Sequence, residues 1–306
     1  MKRLFIINPK SGAKKKSKRL EEIIKKYFPQ AHIAFTERKN HAKELAQKAA
    51  AEIYNQVIVA GGDGTINEAA QSLAGKQTAL GVIALGSGNG FAREIGAPLD
   101  DFEAACKNIL AARETSYDLG LANGEYFLNL AGLGFEADIA ASFDEMGKTA
   151  KRGKWPYFKI GIKHFFSYKA PRARVEIDGS PSQNMNLITL VFSNGRQYGS
   201  GFKIAPLASF DDGLLDMVVV EKTNIFKILA GLPNFLKKDL TPVEIRKFYK
   251  IKKAVVYIDG SFNYHIDGEP RRAKEKLEIS ILPCYIKVLT DNNSIKDIPQ
   301  NSCLLF

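Results

Sequence analysis

The chain has 306 residues, enough for two domains, and its 45% hydrophobic and 25% charged content is an ordinary globular balance. Lys and Arg number 44 against 33 Asp and Glu, a net charge of +11, which points to an anionic partner: a nucleotide, a nucleic acid or an anionic membrane surface. No apolar run approaches the ~18 residues of a membrane span. The widely spaced Cys106, Cys284 and Cys303, and four histidines with no HExxH or paired ligand spacing, support neither a disulfide framework nor a zinc site, and a reducing compartment fits.

Along the chain, Met1–Arg3 and four apolar residues precede Asn8-Pro9, too little for a signal peptide, so Leu4–Ile7 reads as a buried strand. Lys14–Phe28 reads as a helix with Leu20, Ile23, Ile24 and Tyr27 on one face. His32–Phe35 reads as a second strand and His41–Ile53 as a second helix. The β-branched run Gln56–Val59 then drives into Ala60-Gly61-Gly62-Asp63-Gly64-Thr65-Ile66-Asn67-Glu68, and a helical stretch over Asn67–Leu73 follows. The clustered glycines bare backbone N–H groups, so an anion can sit against them and against the helix N-terminus. Asp63 stands where such an anion would bring a divalent cation, and Thr65 can cap the helix or touch a phosphate. A plain tight turn uses glycine for positive φ, but it does not need three glycines, an Asp and a Thr together.

Leu80–Ala84 is the fourth expected strand and ends in Gly86-Ser87-Gly88-Asn89-Gly90, with a short helix expected near Phe91. This β-α alternation implies a doubly wound, mostly parallel α/β sheet, with ligands at the carboxyl ends of its strands. Three loops share that rim: Asn8-Pro9-Lys10-Ser11-Gly12 and the two glycine clusters. After about residue 120 the pattern changes. Strands are expected over Glu125–Leu130, Arg172–Ile177, Met185–Phe192, Leu214–Val220, Ala254–Ile258, Tyr264–Asp267 and Leu277–Leu282, punctuated by Asp-Gly pairs at 178, 212, 259 and 267. That reads as an all-β sandwich with helical insertions over Ala137–Tyr168 and Ile225–Leu236. The expected division is residues 1–122, 123–290 and a polar tail, 291–306, that packs back on the first domain.

Taken together, Asn8–Gly12, Gly61–Thr65, Gly86–Asn89, Asp118-Leu119-Gly120 with Phe127–Asn129, Ala205-Pro206 leading to Asp212-Gly213-Leu214, and His265–Pro270 resemble the soluble diacylglycerol kinase-like lipid kinases. That family includes bacterial diacylglycerol kinases, sphingosine kinases and ceramide kinases. The Gly-Gly-Asp-Gly element alone is shared with NAD kinases; the Asp-Gly-Leu and Asp-Gly-Glu elements make the likeness more specific. The resemblance implies an α/β nucleotide domain and a β-sandwich with the active site between them. It implies ATP and Mg²⁺ as cofactors. It places Asn8, Pro9, Lys10, Ser11, Gly12, Thr36, Gly61, Gly62, Asp63, Gly64, Thr65, Ile66, Asn67, Ser87, Gly88 and Asn89 at the nucleotide. Asp63 would hold the catalytic Mg²⁺, Glu269 would be the catalytic base, and Asp118 falls at an active-site position. Ser209, Asp212 and Leu214 match a structural Mg²⁺ site. Many bacterial members carry an acid after the Asn of the second glycine cluster, where this chain has Gly90; here the cluster is more like that of sphingosine and ceramide kinases.

The expected reaction is transfer of the γ-phosphoryl group of ATP to a hydroxyl of a diacylglycerol-like or sphingoid-like membrane lipid. Glycine-loop amides and Mg²⁺ would spread the charge, with help from Lys10 or Arg93, and Glu269 would take the proton. A lone reading of Glu269 is a surface hairpin acid; of Asp118, a strand-end cap; of Asp212, the start of a turn. The run Lys154–Phe166 mixes Trp155, Tyr157 and Phe158 with lysines and reads either as a lipid-admitting membrane contact or as a helix covering the β domain. The implied setting is a cytoplasmic protein that meets the membrane surface during turnover, with no nucleic acid partner and an oligomeric state left open, a homodimer included. The alternatives are a kinase of a soluble acceptor such as NAD and a non-catalytic nucleotide- or nucleic-acid-binding protein. A dehydrogenase is set aside because GxGxxG after the first strand is missing, and a Walker A loop is missing too.

Overall fold

A computed structural model describes residues 1–11, 14–145, 168, 170–197, 203–221 and 246–291. The chain opens as β1 (Arg3–Ile7), α1 (Lys14–Tyr27), β2 (His32–Phe35), α2 (His41–Ala51), β3 (Gln56–Gly61), α3 (Asp63–Leu73) and β4 (Ala79–Ala84). β1 lies between β2 and β3, and β3 pairs with β4, all in parallel. β3 and β4 are buried along their whole length because helices cover both faces. The side chains of β3 alternate accordingly. Val57 and Val59 meet Ala46 of α2 and Ile66 and Ala70 of α3. Ile58 and Ala60 belong to the opposite cluster, with Leu20 and Ile24 of α1 and with Ile109 of α5 (Phe102–Ala111). The short α4 (Gly90–Glu94) follows the second glycine cluster. α5 was absent from the sequence reading; Asp101 caps it by accepting from the Glu103 and Ala104 amides.

From β5 (Arg113–Ala122) onward the pairing is antiparallel, with one exception. β6 (Glu125–Phe127), β7 (Leu130–Gly134), β8 (Arg172–Ile177), β9 (Gln183–Ser193), β10 (Leu215–Glu221), β11 (Arg246–Ile251), β12 (Lys253–Ile266) and β13 (Glu269–Thr290) enclose a second core. Leu133, Leu190, Phe192, Met217, Val256 and Leu277 lie in it. α6 (Phe135–Glu145) packs on β7, β12 and β13. The exception is the far end of β13, where Val288 pairs in parallel with Leu80 of β4. The last described strand thus returns to the first sheet and joins the two halves.

Several expectations shift. α3 begins at Asp63 rather than Asn67, which puts the acid in the first helical turn. The single strand expected over Glu125–Leu130 is divided between β6 and β7. Asp259-Gly260 does not end a strand: β12 runs through it with a register shift against β13 between Tyr257 and Ser261. The expected strand over Leu277–Leu282 is the middle of β13. Cys284 is disulfide-bonded, against the reading of unbridged cysteines, and Cys106 is a buried free thiol. Gly12, the Ile225–Leu236 insertion, most of the 146–167 stretch with its aromatic-basic run, and the tail beyond 291 lie outside the described residues. Among the described residues, no helix is long and apolar enough to cross a membrane.

Candidate active site

The three loops on the carboxyl rim of the parallel sheet are laced together. The Asn8 amide donates to Thr65 Oγ1 at 2.8 Å, and the Gly62 N–H donates to Ser11 Oγ at 3.3 Å. Lys10 Nζ reaches the Glu37 carbonyl at 3.2 Å, and Thr36, buried at the end of β2, donates its N–H to Ile7. The backbones of the two glycine clusters touch. A Cβ on Gly86 would fall 2.7 Å from Gly62 Cα, so a side chain there must push backbone against backbone. Gly86→Ala is therefore expected to part these loops and weaken nucleotide binding at least ~10-fold while costing about 1–3 kcal/mol of stability. Calorimetric titration and chemical denaturation measure the two effects.

Asp63 opens α3, and its Oδ1 accepts the Phe91 N–H of α4 at 3.3 Å. Burial pushes its carboxyl above the usual range, the α4 amides pull it down, and the negative Asp267 pushes it up again. A cation beside Asp63 would relieve both upward effects. There is room for one: Gly88 leaves open a position where a Cβ would lie 2.9 Å from Asp63 Oδ2. The donor set of carboxylate, glycine-loop backbone and water suits a hard cation such as Mg²⁺.

Glu269 comes to this rim from the other half of the chain. Its Oε1 lies 3.1 Å from where a Cβ of Gly64 would stand, directly beside Asp63, and its Oε2 is 3.5 Å from Lys39 Nζ. A two-residue turn delivers it. β12 ends at Ile266, Asp267 and Gly268 take φ of 48° and 86°, and β13 starts at Glu269.

Asp267 fixes that turn. Its Oδ1 accepts the Asn129 and Leu130 N–H groups at 2.9 and 3.0 Å; its Oδ2 accepts the Leu128 N–H at 2.9 Å and the Asn67 amide at 2.7 Å. Burial raises its pKa and these donors lower it. The sequence reading gave Asp267 no role; its place two residues before Glu269 in a turn with positive φ is the signal. Asp267→Ala leaves all four donors without their acceptor, and a loss of about 3–5 kcal/mol is expected by urea denaturation. A loss below about 1 kcal/mol would show that the turn holds by other means.

Other expected nucleotide residues differ in what they can offer. Ile66 is fully buried in the core, so only its backbone can face a ligand. The Asn67 amide is committed to Asp267 and to the Tyr126 carbonyl. Asn89 sits in the left-handed region at φ 52° and its amide donates to the Gly86 carbonyl, so it shapes the loop; its side chain does not cap α4. Pro9 stands directly before Lys10, Gly61 ends β3 directly before Gly62, and Ser87 is exposed on the rim.

Asp118 lies elsewhere. Its carboxylate accepts the Gly213 N–H at 2.7 Å and the Cys284 N–H at 2.8 Å, and its own N–H donates to the Phe210 carbonyl. Burial pushes its carboxyl up to about 6, the two N–H groups hold it down, and Asp212 and Asp211 add to the rise. Among the described residues its hydrogen bonds fasten the 210–214 loop to the bulge of β13 and reach neither Asp63 nor Glu269. Phe210 continues the connection, stacking on Tyr117 at 4.9 Å and meeting Phe91 edge-on at 5.7 Å. Ser209 Oγ donates to Asp211, Leu214 N–H donates to Asp212 Oδ1 at 3.0 Å, and Lys250 Nζ lies 2.6 Å from Asp212 Oδ2. As arranged, these three residues do not fit a divalent ion.

A cavity of about 520 Å³ is lined by Lys39, Lys43 and Glu44 from the first half of the chain and by Glu125 and Arg271 from the second, and Lys39 is the lining residue that reaches Glu269. Arg271 is held by Glu125 at 2.9 Å.

Residues 2–122 match the family model described as the diacylglycerol kinase catalytic domain, and residues 130–290 match the YegS C-terminal NAD kinase beta sandwich-like domain. The chain is 30% identical to a diacylglycerol kinase of Bacillus subtilis (strain 168), over 88% of this chain and 90% of that one. It is 31% identical to a probable lipid kinase YegS-like protein of Pectobacterium atrosepticum, over 92% and 94% of the two chains. A crystal structure of a candidate diacylglycerol kinase from Bacillus anthracis str. Sterne superposes with a TM-score of 0.77 at 25% identity, covering 96% of this chain and 98% of that one.

Proposed function

This chain belongs to the diacylglycerol kinase catalytic-domain family, a family of phosphotransferases with an alcohol acceptor, and from that premise we propose that it moves the γ-phosphoryl group of ATP to a hydroxyl of a membrane lipid. The observation that carries the proposal is that Glu269, from the second half of the chain, reaches the first turn of α3 at Gly64, the residue after Asp63. Asp63 would be the metal-holding carboxylate and Glu269 the proton-accepting one, brought to the same helix N-terminus from opposite halves of the chain.

The roles follow from position. The N–H groups of the glycine loops and of the first turn of α3 would bind the phosphate oxygens and orient them. Lys10 and Arg93, both exposed on this rim, would add positive charge. Asp63 would hold Mg²⁺, which when bound neutralises charge on the transferring phosphoryl group. Glu269 would take the proton of the acceptor hydroxyl as the bond to phosphorus forms. Lys39 keeps the Glu269 carboxylate aimed over Gly64 until the acceptor arrives. Residues 1–122 and 123–290 are read as the two domains that bring these groups together.

The cavity lined by Lys39 and Arg271 is polar and suits a headgroup rather than an acyl chain. Acyl chains would stay in or near the bilayer, with the 154–166 aromatic-basic run as the proposed contact. The experiment is a phosphate-transfer assay with labelled ATP, Mg²⁺ and vesicles of diacylglycerol, monoacylglycerol, phosphatidylglycerol, undecaprenol or a sphingoid base, with NAD as the soluble competitor. Label in the lipid phase is the expected result. Label in NAD alone would replace the lipid reading with the soluble-acceptor one.

A further inference from the structure

β10 and β11 run antiparallel with Asp216 directly opposite Lys250. Lys250 Nζ lies 2.6 Å from Asp212 Oδ2, 2.7 Å from Asp216 Oδ2 and 3.3 Å from the Leu207 carbonyl oxygen. An ammonium has three donors and no acceptor, and these three oxygens use all of them. Asp216 is buried, its side chain 7% exposed, while Lys250 and Asp212 keep 37% and 30% of theirs open to solvent, so the ammonium ties a buried carboxylate to a surface one. Both Asp212 oxygens are taken, one by the ammonium and one by the Leu214 N–H. The Ser209 hydroxyl is turned to Asp211. A hard divalent ion needs six or more oxygens at about 2.0–2.6 Å, and of the carboxylate oxygens it would draw on, Asp212 Oδ2 and Asp216 Oδ2 already bind the ammonium.

We propose that Lys250 is the resident cation of the 207–214 loop, a covalently tethered ammonium standing where a divalent ion would otherwise be required. The loop it secures supports the nucleotide rim. Phe210 and Gly213 of that loop bond Asp118, Phe210 packs against Phe91, and the Phe91 N–H holds Asp63. A covalently tethered ammonium cannot dissociate as a bound ion can, so this support does not vary with free Mg²⁺. Among the described residues, metal then enters only at the nucleotide site.

The test is thermal unfolding of the nucleotide-free full chain in EDTA and in millimolar MgCl₂, with bound metal measured by mass spectrometry after dialysis. The same comparison is made in Asp63→Asn, which removes the proposed nucleotide-site metal. Midpoints that agree within about 1 °C in Asp63→Asn, with no divalent ion retained, are expected. A chelation-dependent loss of several degrees that persists in Asp63→Asn, or one retained divalent ion per chain, would overturn the proposal. Lys250→Ser adds a second reading. It is expected to unfold several degrees lower in EDTA than the unmodified chain, and an unchanged midpoint would equally overturn it. Should Lys250→Ser fail to fold, Lys250→Arg keeps the cation and is expected to fold and to ignore chelation; a Lys250→Arg protein that unfolds on chelation would contradict the assignment.

Discussion

Asp63→Ala is expected to lower kcat/KM by on the order of 10³-fold or more and to abolish the Mg²⁺ dependence of nucleotide binding. The size of the effect follows from the setting. Asp63 is a mostly enclosed carboxylate at a helix N-terminus, already pushed toward neutrality by burial and by Asp267. A divalent ion is the natural partner for such a group, and phosphoryl transfer depends on charge neutralisation more than on any covalent step by the protein. Truncation removes the metal anchor without touching the sheet, because the Asp63 side chain takes no part in either hydrophobic cluster beneath it. Calorimetric titration of ATP with and without Mg²⁺, beside a turnover assay, measures both effects. Retention of more than about a tenth of the activity would place the metal elsewhere.

Glu269→Gln should cut kcat by about 10²–10⁴-fold, the usual worth of a general base, while nucleotide affinity stays within a few-fold. The substitution keeps the shape of the side chain but cannot accept the acceptor's proton. Because Glu269 approaches Gly64 from the second half of the chain, its loss should spare the glycine-loop contacts made within the first. The split between kcat and ATP affinity separates a base from a residue that merely closes the gap. Equal losses in both would argue for the closing role.

Much of the parallel sheet was legible because its strands are continuous β-branched or aliphatic runs that end in glycine clusters. Val57–Val59 and Leu80–Ala84 leave little alternative. The loops of the first half were legible for the same reason. The closeness of Gly86 to Gly62 is a steric fact that explains two glycines the pattern could only note. β13 was harder to read. Its first half is mostly charged, with Arg271-Arg272 and Lys274-Glu275-Lys276, only Leu277–Leu282 reads locally as a strand, and Pro283-Cys284-Tyr285 interrupts it, so nothing local announces a strand that crosses both halves. Asp259-Gly260 carried turn chemistry that the long-range pairing with β13 overrode. Three side chains outside the expected site owe their placement to contacts far apart in sequence. Asp267 meets Asn67, Lys39 meets Glu269, and Lys250 meets Asp212. Each is an ordinary polar residue until the fold supplies its partner.

The arrangement most in need of a direct reading is the proposed one, a metal beside Asp63 with Glu269 across from it. Anomalous diffraction from crystals grown with Mn²⁺ and a non-hydrolysable ATP analogue reads it. The predicted result is a manganese peak within coordination distance of the Asp63 side chain or of a water bound to it, with the terminal phosphate pointing toward Glu269. A nucleotide seated away from the Gly61–Thr65 loop, or a terminal phosphate turned from Glu269 with the metal remote from Asp63, would contradict it.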